Sequence, residues 1–318
     1  MKWLIWRQHR ADAALMSAVL ALTALVLVPN SLAMHRLFTT SGVEECLRTL
    51  RSGCQSPFLQ DIADGYQPYI NSVAPFLLAL PVAAGLFLGA PLLAREYEQG
   101  TWQLAWSQSV PRTRWLAAKL LAMGAGVALT SSALSWLATW WFSADARVKG
   151  RLDMAFSVQG PAFPSHALFA FAAGALAGAV VRRTLPAMAL TLAVYLAVRV
   201  PVETRLRMRL LPPVQVTLDP TSPDVRAAQP GPQDRVLGHG LIAPDGRRLS
   251  QVEADTLAAG MPRDAWPGYL HRNGLRDWYE YQPGDRFWAL QAMEAGLFLA
   301  LTAVLLTVLV TRIRRRPI

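Results

Sequence analysis

The chain has 318 residues, of which 53% are hydrophobic and only 16% are charged. Soluble domains carry about 25% charged residues, so this composition excludes an ordinary soluble globule and is typical of a membrane protein. A net charge of +10 is also found in nucleic-acid-binding proteins. Here the excess positive charge lies beside long apolar runs, so nucleic acid is excluded as a partner and the lipid bilayer is predicted instead.

Six apolar stretches are long enough to cross a bilayer, for which an α-helix needs about 20 residues. Four of them are built on runs without Asp, Glu, Lys or Arg, and the last two contain Arg199 and Glu294 respectively. We therefore predict an all-α membrane protein with six transmembrane helices in one polytopic domain, residues 1–318. The predicted spans are 13–35, 73–93, 117–142, 164–181, 185–202 and 287–311.

The basic residues predict the orientation, because short loops rich in Lys and Arg stay in the cytoplasm. Thirteen basic and three acidic residues lie in or beside the two terminal tails, the turn after span two and the turn after span four. Together they give the whole net charge of +10. Both termini are therefore predicted to be cytoplasmic. The cytoplasmic segments are 1–12, 94–116, 182–184 and 312–318, and the outer segments are 36–72, 143–163 and 203–285.

The N-terminal 35 residues allow two interpretations. Ser31-Leu32-Ala33 has the small residues of a signal-peptidase site, but an uncharged run of 23 residues exceeds the 7–15 of a typical signal peptide. A retained membrane anchor is therefore expected. The residues before it, with Trp3, Trp6 and Arg7, suit a short helix in the membrane interface, and a frayed tail anchored by its tryptophans is the alternative.

Two features of the outer and helical segments are structural rather than catalytic. Cys46 and Cys54 are the only cysteines, and in an outer loop they form either a disulfide or two free thiols. Seven residues separate them and no His is near, so no metal site is predicted. In spans two and four, Gly85-x-x-x-Gly89 and Gly174-x-x-x-Gly178 allow close helix approach.

Residues 203–285 are a long polar insertion between spans five and six, with 10 prolines and 8 glycines. The run Ala243-Pro244-Asp245-Gly246-Arg247 predicts a tight turn between two short strands. Ser250-x-x-Glu253 is the pattern of a helix N-terminal capping box, and Gly260 is placed to end that helix.

Motifs of enzymatic chemistry are missing from the sequence. None of the three lysines stands in a Gly-Lys-Ser/Thr phosphate loop, and neither H-E-x-x-H nor G-x-S-x-G occurs. We therefore expect a non-enzyme without catalytic residues, metal or cofactor.

The segment between spans two and three is the most specific part of the sequence. A helix is predicted to leave the membrane, expose Glu96 and Glu98, turn at Gly100, continue as a short Trp-bearing amphipathic stretch and break at Pro111. From the residues alone, an ordinary solvated connector explains this segment equally well.

Its motifs resemble those of type-2 permeases of ATP-binding-cassette (ABC) transporters, particularly actinobacterial ones. Arg-Glu-x-Glu-x-Gly-Thr over 95–101 and Gln-Ser-Val-x-Arg-x-Arg-Trp-Leu-x-x-Lys over 108–119 carry the resemblance, and 6–10, 182–187 and 281–288 extend it across all six spans. The resemblance implies a multi-pass permease subunit in a bacterial cell membrane. It further implies export by alternating access, driven by a separate ATP-binding subunit, in a homodimer or heterodimer of permeases.

The same resemblance implies residue roles. The turn after span two would be a coupling helix seated on the ATPase, and the turn after span four would make a second, smaller contact. The implied coupling residues are Arg95, Glu96, Glu98, Gly100, Thr101, Arg112 and Arg114, with Arg182 and Arg183 in the second turn.

A function of another class stays open at this point. The chain could instead be a polytopic membrane sensor or scaffold that works through its outer insertion, since long insertions are often functional and a fold does not determine function.

Glu294 is the one acidic residue inside a predicted span. Intramembrane carboxylates are costly unless they pair, and they often mark functional sites. Arg199 lies at a similar depth if spans five and six are antiparallel neighbours, so the two residues are a candidate pair that holds an outer gate. The alternative is that each side chain reaches the outer surface alone.

Overall fold

The structure is a computed structural model that describes residues 2–40, 57–100, 111–219, 222, 228–262 and 265–315. Cys46, Cys54 and Thr101 lie outside these residues, as does most of the amphipathic stretch before Pro111. The two alternatives for Cys46 and Cys54, a disulfide or two free thiols, and the contact implied for Thr101 therefore stay predictions. The backbone of Arg112 is described but its side chain is not.

Six helices of the described chain are long and apolar enough to cross a membrane, which confirms the predicted number of spans. They are longer than the predicted apolar runs, because a helix ends where its hydrogen bonds and caps end and not where the bilayer does. Spans one to six are Arg10–Thr40, Tyr69–Glu98, Thr113–Trp141, Ala162–Val181, Thr184–Arg209 and Gly284–Arg315.

The regular elements alternate between long α-helices and short irregular turns. The α-helices are α1 (Lys2–Thr40), α2 (Pro57–Ala83), α3 (Ala90–Glu98), α4 (Arg112–Trp141), α5 (Asp145–Lys149), α6 (Ala162–Val181), α7 (Thr184–Pro201), α8 (Gln251–Ala258), α9 (Trp266–Arg272) and α10 (Phe287–Arg315). The π-helical turns are Ala84–Gly89 and Val202–Leu206, and the 3-10 turns are Met154–Val158, Arg207–Arg209 and Gly284–Arg286. The strands are β1 (Val214–Leu218), β2 (Arg235–Ile242) and β3 (Arg276–Gln282).

The N-terminal segment departs from the sequence expectation. Residues Lys2–Thr40 form a single α-helix, so the separate short interfacial helix predicted before span one is not observed. No Gly or Pro interrupts residues 2–28, and an uninterrupted helix keeps its backbone hydrogen bonds satisfied inside the lipid.

Span four is the centre of the bundle. Most of it is buried, whereas the other five spans are half buried or less. The predicted glycine motifs explain part of this burial, because Gly85 and Gly89 of span two face the backbone of Ala170 and Phe171 in span four. A Cβ atom built on Gly85 or Gly89 would lie 2.5 Å from a carbonyl oxygen of span four, closer than real Cβ atoms approach. The two backbones therefore pack directly on each other, as the motifs predict.

This contact leads to a stability prediction. Gly178→Ala is expected to lower the free energy of unfolding by about 1–3 kcal/mol, because the new methyl group would collide with backbone atoms of Ala90 and Ala94. Gly296→Ala in span six is the matched control, since nothing lies within 4 Å of the added Cβ. Thermal unfolding of the detergent-solubilised variants measures the difference. Equal unfolding temperatures for both variants would contradict the direct backbone contact.

Span two is not a uniform α-helix where it meets span four. Pro91 has no N–H to donate to the carbonyl of Phe87, and the π-helical turn Ala84–Gly89 precedes it. Prolines and π-helical turns both bend membrane helices, so the irregularity is attributed to this local sequence.

The segment between spans five and six contains a three-stranded antiparallel sheet in the order β1-β3-β2. Helices α8 and α9 pack on this sheet. A small apolar core between the sheet and the helices is formed by Leu241, Leu270 and Leu275 with partly buried neighbours. We call residues 210–283 the sheet segment.

Two of the local sequence predictions in the sheet segment are confirmed. The turn Ala243–Arg247 is closed by a hydrogen bond from the N–H of Ala243 to the carbonyl of Arg247, and Gly246 has a φ of 84°. Ser250 and Glu253 form the predicted capping box. Hydrogen bonds from Arg247 and Ser250 to its carboxylate lower the pKa of Glu253 to about 2.

The strand prediction was only partly right. The turn follows β2, but only a single bridge, between Ile242 and Arg248, replaces the predicted second strand. Strand β2 pairs with the distant β3 instead, because β3 offers seven consecutive residues for a ladder.

The sheet segment is fixed to one end of the bundle by side-chain hydrogen bonds to backbone carbonyls. Gln282 Nε2 donates to the carbonyls of Met208 (2.8 Å) and Leu211 (2.6 Å), and Arg286 Nη1 donates to that of Pro212 (2.7 Å). We call this end, where span five finishes and span six begins, the sheet end. The opposite end, with Glu98 and Arg182, is called the turn end.

Candidate functional site

A cluster of ionisable side chains is buried at the sheet end. Glu294 in span six has no exposed surface, and it accepts hydrogen bonds from Arg207 through Nε (2.7 Å) and Nη2 (3.0 Å). Arg199 Nη1 lies 3.3 Å and His166 Nε2 lies 2.9 Å from the Oε1 atom of Glu294. Because an ionised carboxylate can only accept hydrogen bonds, His166 donates through Nε2. One carboxylate thus joins spans four, five and six.

Glu203 provides a second carboxylate at the edge of this cluster. Its Oε2 atom lies 3.4 Å from Arg199 Nη2, its Oε1 atom lies 3.5 Å from Arg207 Nη1, and Ser157 Oγ donates to Oε1 at 3.0 Å. The Glu203 side chain is 39% exposed, whereas both arginines are buried. Two arginines and two glutamates have no net formal charge, so the burial is compensated by pairing.

Aromatic rings pack against the buried side of the cluster. The guanidinium of Arg207 lies 4.5 Å from the ring centre of Phe156, and the ring of His166 packs edge-on against Phe298 at 4.4 Å. Phe156 and Phe298 are fully buried. Ion pairs are stronger in such surroundings than in water, and losing one partner there is correspondingly costly.

The predicted pair of Arg199 and Glu294 is therefore in hydrogen-bond contact, and the alternative that each reaches the surface alone is wrong. His166, Glu203 and Arg207 were not among the residues predicted from the sequence. Arg199, Glu203 and Arg207 are spaced four residues apart, which places them on one face of a helix. This spacing can be read from the sequence. The predicted span five ends at residue 202, so it does not include Glu203 and Arg207.

The turn end contains a second set of contacts. They join the turn after span two, called the first turn, to the turn after span four, called the second turn. Glu98, the last residue of α3, accepts hydrogen bonds from the backbone N–H (2.9 Å) and the hydroxyl (2.6 Å) of Thr184. Thr184 is the first residue of α7, so Glu98 satisfies a backbone donor that has no partner within its own helix. The favourable interaction of a carboxylate with a helix N-terminus adds to this bond.

A cation–π contact reinforces the connection between the turns. Arg182 is the C-cap residue that follows α6, and its φ of 61° is a left-handed conformation that side-chain-bearing residues adopt infrequently. Its guanidinium lies 5.1 Å from the ring centre of Tyr97. The first turn is therefore attached to both helices that flank the second turn.

The remaining predicted coupling residues are placed as follows. Arg95, Arg114, Arg182 and Arg183 are exposed, as is Glu98. Gly100 has a φ of 68°, which suits the predicted turn. The predicted exposure of Glu96 was wrong, because its side chain is only 13% exposed and forms an ion pair with the buried Lys119 of span three. Lys119 also packs over the ring of Trp115, 4.6 Å from its centre.

A sequence profile described as "ABC-2 membrane transporter related" matches residues 17–207, which is more than half of the chain. The chain belongs to this ABC-2 membrane transporter related family. With six membrane-spanning helices, it is a multi-pass permease of ABC transport. Comparisons with curated proteins and with solved structures gave no match.

The ABC-2 match covers part of each site. It includes His166, Arg199 and Arg207 of the buried cluster and both linked turns, but it ends before the sheet segment and before Glu294. The carboxylate that completes the cluster is therefore contributed by the region outside the matched residues.

Proposed function

We propose that this ABC-2 permease is the transmembrane subunit of an exporter in a bacterial cell membrane, and that it moves solute by alternating access. Its partners are a separate ATP-binding subunit, which hydrolyses the ATP, and a second permease subunit. The permease itself is not an enzyme. Both termini and the turn end face the cytoplasm, and the sheet segment is an extracytoplasmic insertion.

The connection from Glu98 to Thr184 is the observation that carries this proposal. A transporter driven by a separate ATPase needs a path from the docking surface to the helices that move. Because the turn after span two is hydrogen-bonded to the first residue of span five, a displacement of the first turn pulls on span five directly. Arg182 over Tyr97 extends the same path to span four.

The charge of the turn end suggests how the ATPase is recognised. Among the predicted contact residues whose side chains the structure describes, the exposed charged residues are four arginines and one carboxylate, Glu98. The arginines are Arg95, Arg114, Arg182 and Arg183. Glu98 is already engaged by Thr184. A partner groove with acidic side chains is therefore expected, since complementary charge steers association and fixes register.

The buried cluster at the other end is proposed as the outer gate. Glu294 holds spans four, five and six together, so these helices cannot separate at the sheet end without breaking its ion pairs. Opening toward the outside would require solute or the ATPase cycle to offset that cost. The gate and the linked turns then lie at opposite ends of span five.

The orientation can be tested by labelling. Single cysteines at the exposed positions Arg272 and Gln99, with Cys46 and Cys54 replaced by serine, are expected to report opposite sides of the membrane. A membrane-impermeant maleimide applied to intact cells should label position 272 and not position 99. Labelling at both positions would show that the assigned orientation is wrong.

The proposed function is tested by purifying the full-length permease together with candidate ATP-binding subunits. We expect a stable complex whose ATPase activity rises when the permease is present. An ATPase that copurifies with the permease but is unaffected by it would argue against coupling. Failure of every ATP-binding subunit to copurify would instead favour the sensor or scaffold function of the sheet segment.

A further inference from the structure

A large cavity of about 900 Å³ lies between the sheet segment and the bundle. The cavity is open on one side. The end of span five forms one wall, β2 and β3 form another, and Leu78 of span two and Leu152 also line it. Arg207 and Glu203 of the buried cluster lie on its wall, but none of the roles assigned above uses the space itself. Its size is in the range of pockets that hold a small molecule or the headgroup of a lipid.

The wall from span five carries three arginines and one glutamate, Glu203. Arg205, Arg207 and Arg209 all line the cavity, and Arg207 is already bound by Glu294 and Glu203. Arg205 and Arg209 are exposed, and within the described part of the chain neither has an acidic partner within 4.0 Å. Two guanidinium groups are therefore available for an anion, and guanidinium matches phosphate and carboxylate groups well.

The facing wall has an apolar part, formed by Val236 and Leu237, beside the charged residues Glu280 and Arg235, of which Arg235 pairs with Asp153 (3.1 Å). The apolar part departs from regular strand geometry. Val236 and Leu237 are consecutive in β2, yet both line the cavity, although neighbouring residues of a regular strand point to opposite faces. A β-bulge between Val236 and Gly238 explains this, because a bulge redirects a side chain. The two side chains remain 39% and 38% exposed, so the sheet segment leaves apolar surface uncovered over the cavity.

We propose that this cavity binds an amphiphile with a phosphate-type anionic headgroup, such as an anionic membrane lipid. Arg205 and Arg209 contact the headgroup, and the chain lies against Leu78, Val236 and Leu237. Leu78 belongs to a membrane span, so the apolar part of such a ligand reaches the cavity from the bilayer. A free inorganic anion would use the two arginines but would leave the apolar part of the facing wall exposed.

The test uses the full-length chain in neutral detergent and measures bound lipid by native mass spectrometry. Dioleoylphosphatidylglycerol is expected to bind more tightly than dioleoylphosphatidylcholine. The double variant Arg205→Gln/Arg209→Gln should weaken binding of the anionic lipid by about tenfold or more. The control Arg272→Gln/Arg276→Gln removes the same charge from exposed arginines outside the cavity and should change binding by no more than about twofold.

Further arms separate the lipid from a simple anion. Leu237→Asn should weaken binding of the anionic lipid several-fold, whereas inorganic phosphate at equal concentration should not displace the lipid. Displacement by phosphate, an unaffected Leu237 variant or equal losses in the two double variants would each overturn the proposal. Unchanged thermal unfolding of the variants confirms that they are folded. Because no ATPase is present, this result is independent of whether the coupling proposal is correct.

Discussion

Replacement of Glu294 by alanine is expected to lower the free energy of unfolding by about 3–5 kcal/mol. The change removes the acceptor shared by Arg199, Arg207 and His166 and leaves two guanidinium groups buried among aromatic rings. Among the described residues, both guanidinium groups would keep only the partly exposed Glu203 as a carboxylate partner. Thermal unfolding in detergent, followed by size-exclusion chromatography, measures the loss as a lower transition temperature and a smaller monodisperse fraction.

Glu203→Gln, at the partly exposed edge of the same cluster, is the comparison variant for this prediction. Glu203 contacts the same two arginines, but its side chain is 39% exposed and water can replace it, so a loss of about 1 kcal/mol or less is expected. A Glu294→Ala protein as stable as the Glu203→Gln protein would show that the buried cluster contributes nothing to stability. It would also remove the basis for a gate at this position.

The structure also predicts the result of exchanging Arg199 and Glu294. If these two residues formed an isolated pair, the exchange would restore part of the function lost in the single variants. Arg207 makes the shorter hydrogen bonds to Glu294, so the exchanged arginine at position 294 would face Arg207 without a carboxylate between them. We therefore expect the exchange to be as harmful to transport as Glu294→Gln alone, or more so. Clear rescue by the exchange would contradict the role given to Arg207.

The number of spans and the glycine contact could be predicted from the sequence, for the same physical reason. A membrane span must satisfy all backbone groups within one helix and must be apolar over about 20 residues, so composition alone identifies it. Gly85 and Gly174 matter because they lack side chains, and that property does not depend on the rest of the fold. Neither feature needs knowledge of which helices are neighbours.

The buried cluster could be predicted only in part. The cost of burying Glu294 indicated that it needs a partner, and Arg199 was found by comparing depths. Arg207 lay beyond the predicted end of span five, where the helix continues as π-helical and 3-10 turns that apolar composition does not reveal. His166 is the one ionisable residue in span four, and its role depends on span four being central, which is a tertiary property.

The linked turns show a different limit of sequence analysis. The sequence predicts that Glu98 is exposed, but it does not indicate its partner, because Thr184 lies 86 residues away at the start of another helix. No local pattern relates the two residues. Glu96 was expected to be exposed like Glu98, and only the position of Lys119 on the neighbouring span explains why it is not.

The second large effect is expected at the turn end. Glu98→Lys should leave the permease folded and in the membrane but lower transport and ATPase stimulation by about tenfold or more, because it replaces both hydrogen bonds to Thr184 with a cation at a helix N-terminus. Transport by membrane vesicles and ATP hydrolysis by the reconstituted complex measure the two effects. Gln99→Lys is the control, since it adds positive charge to the neighbouring exposed position and leaves the hydrogen bonds intact.

A double-mutant cycle tests the connection itself. Glu98→Gln and Thr184→Val each remove part of the contact between Glu98 and Thr184. Their effects on ATPase stimulation should therefore be less than additive, with an interaction free energy of about 0.5–3 kcal/mol. Strictly additive effects would mean that the two residues act independently and that no displacement passes between the turns through this contact. Equal losses in Glu98→Lys and Gln99→Lys would show that only surface charge matters, and full activity in both would make the segment a solvated connector.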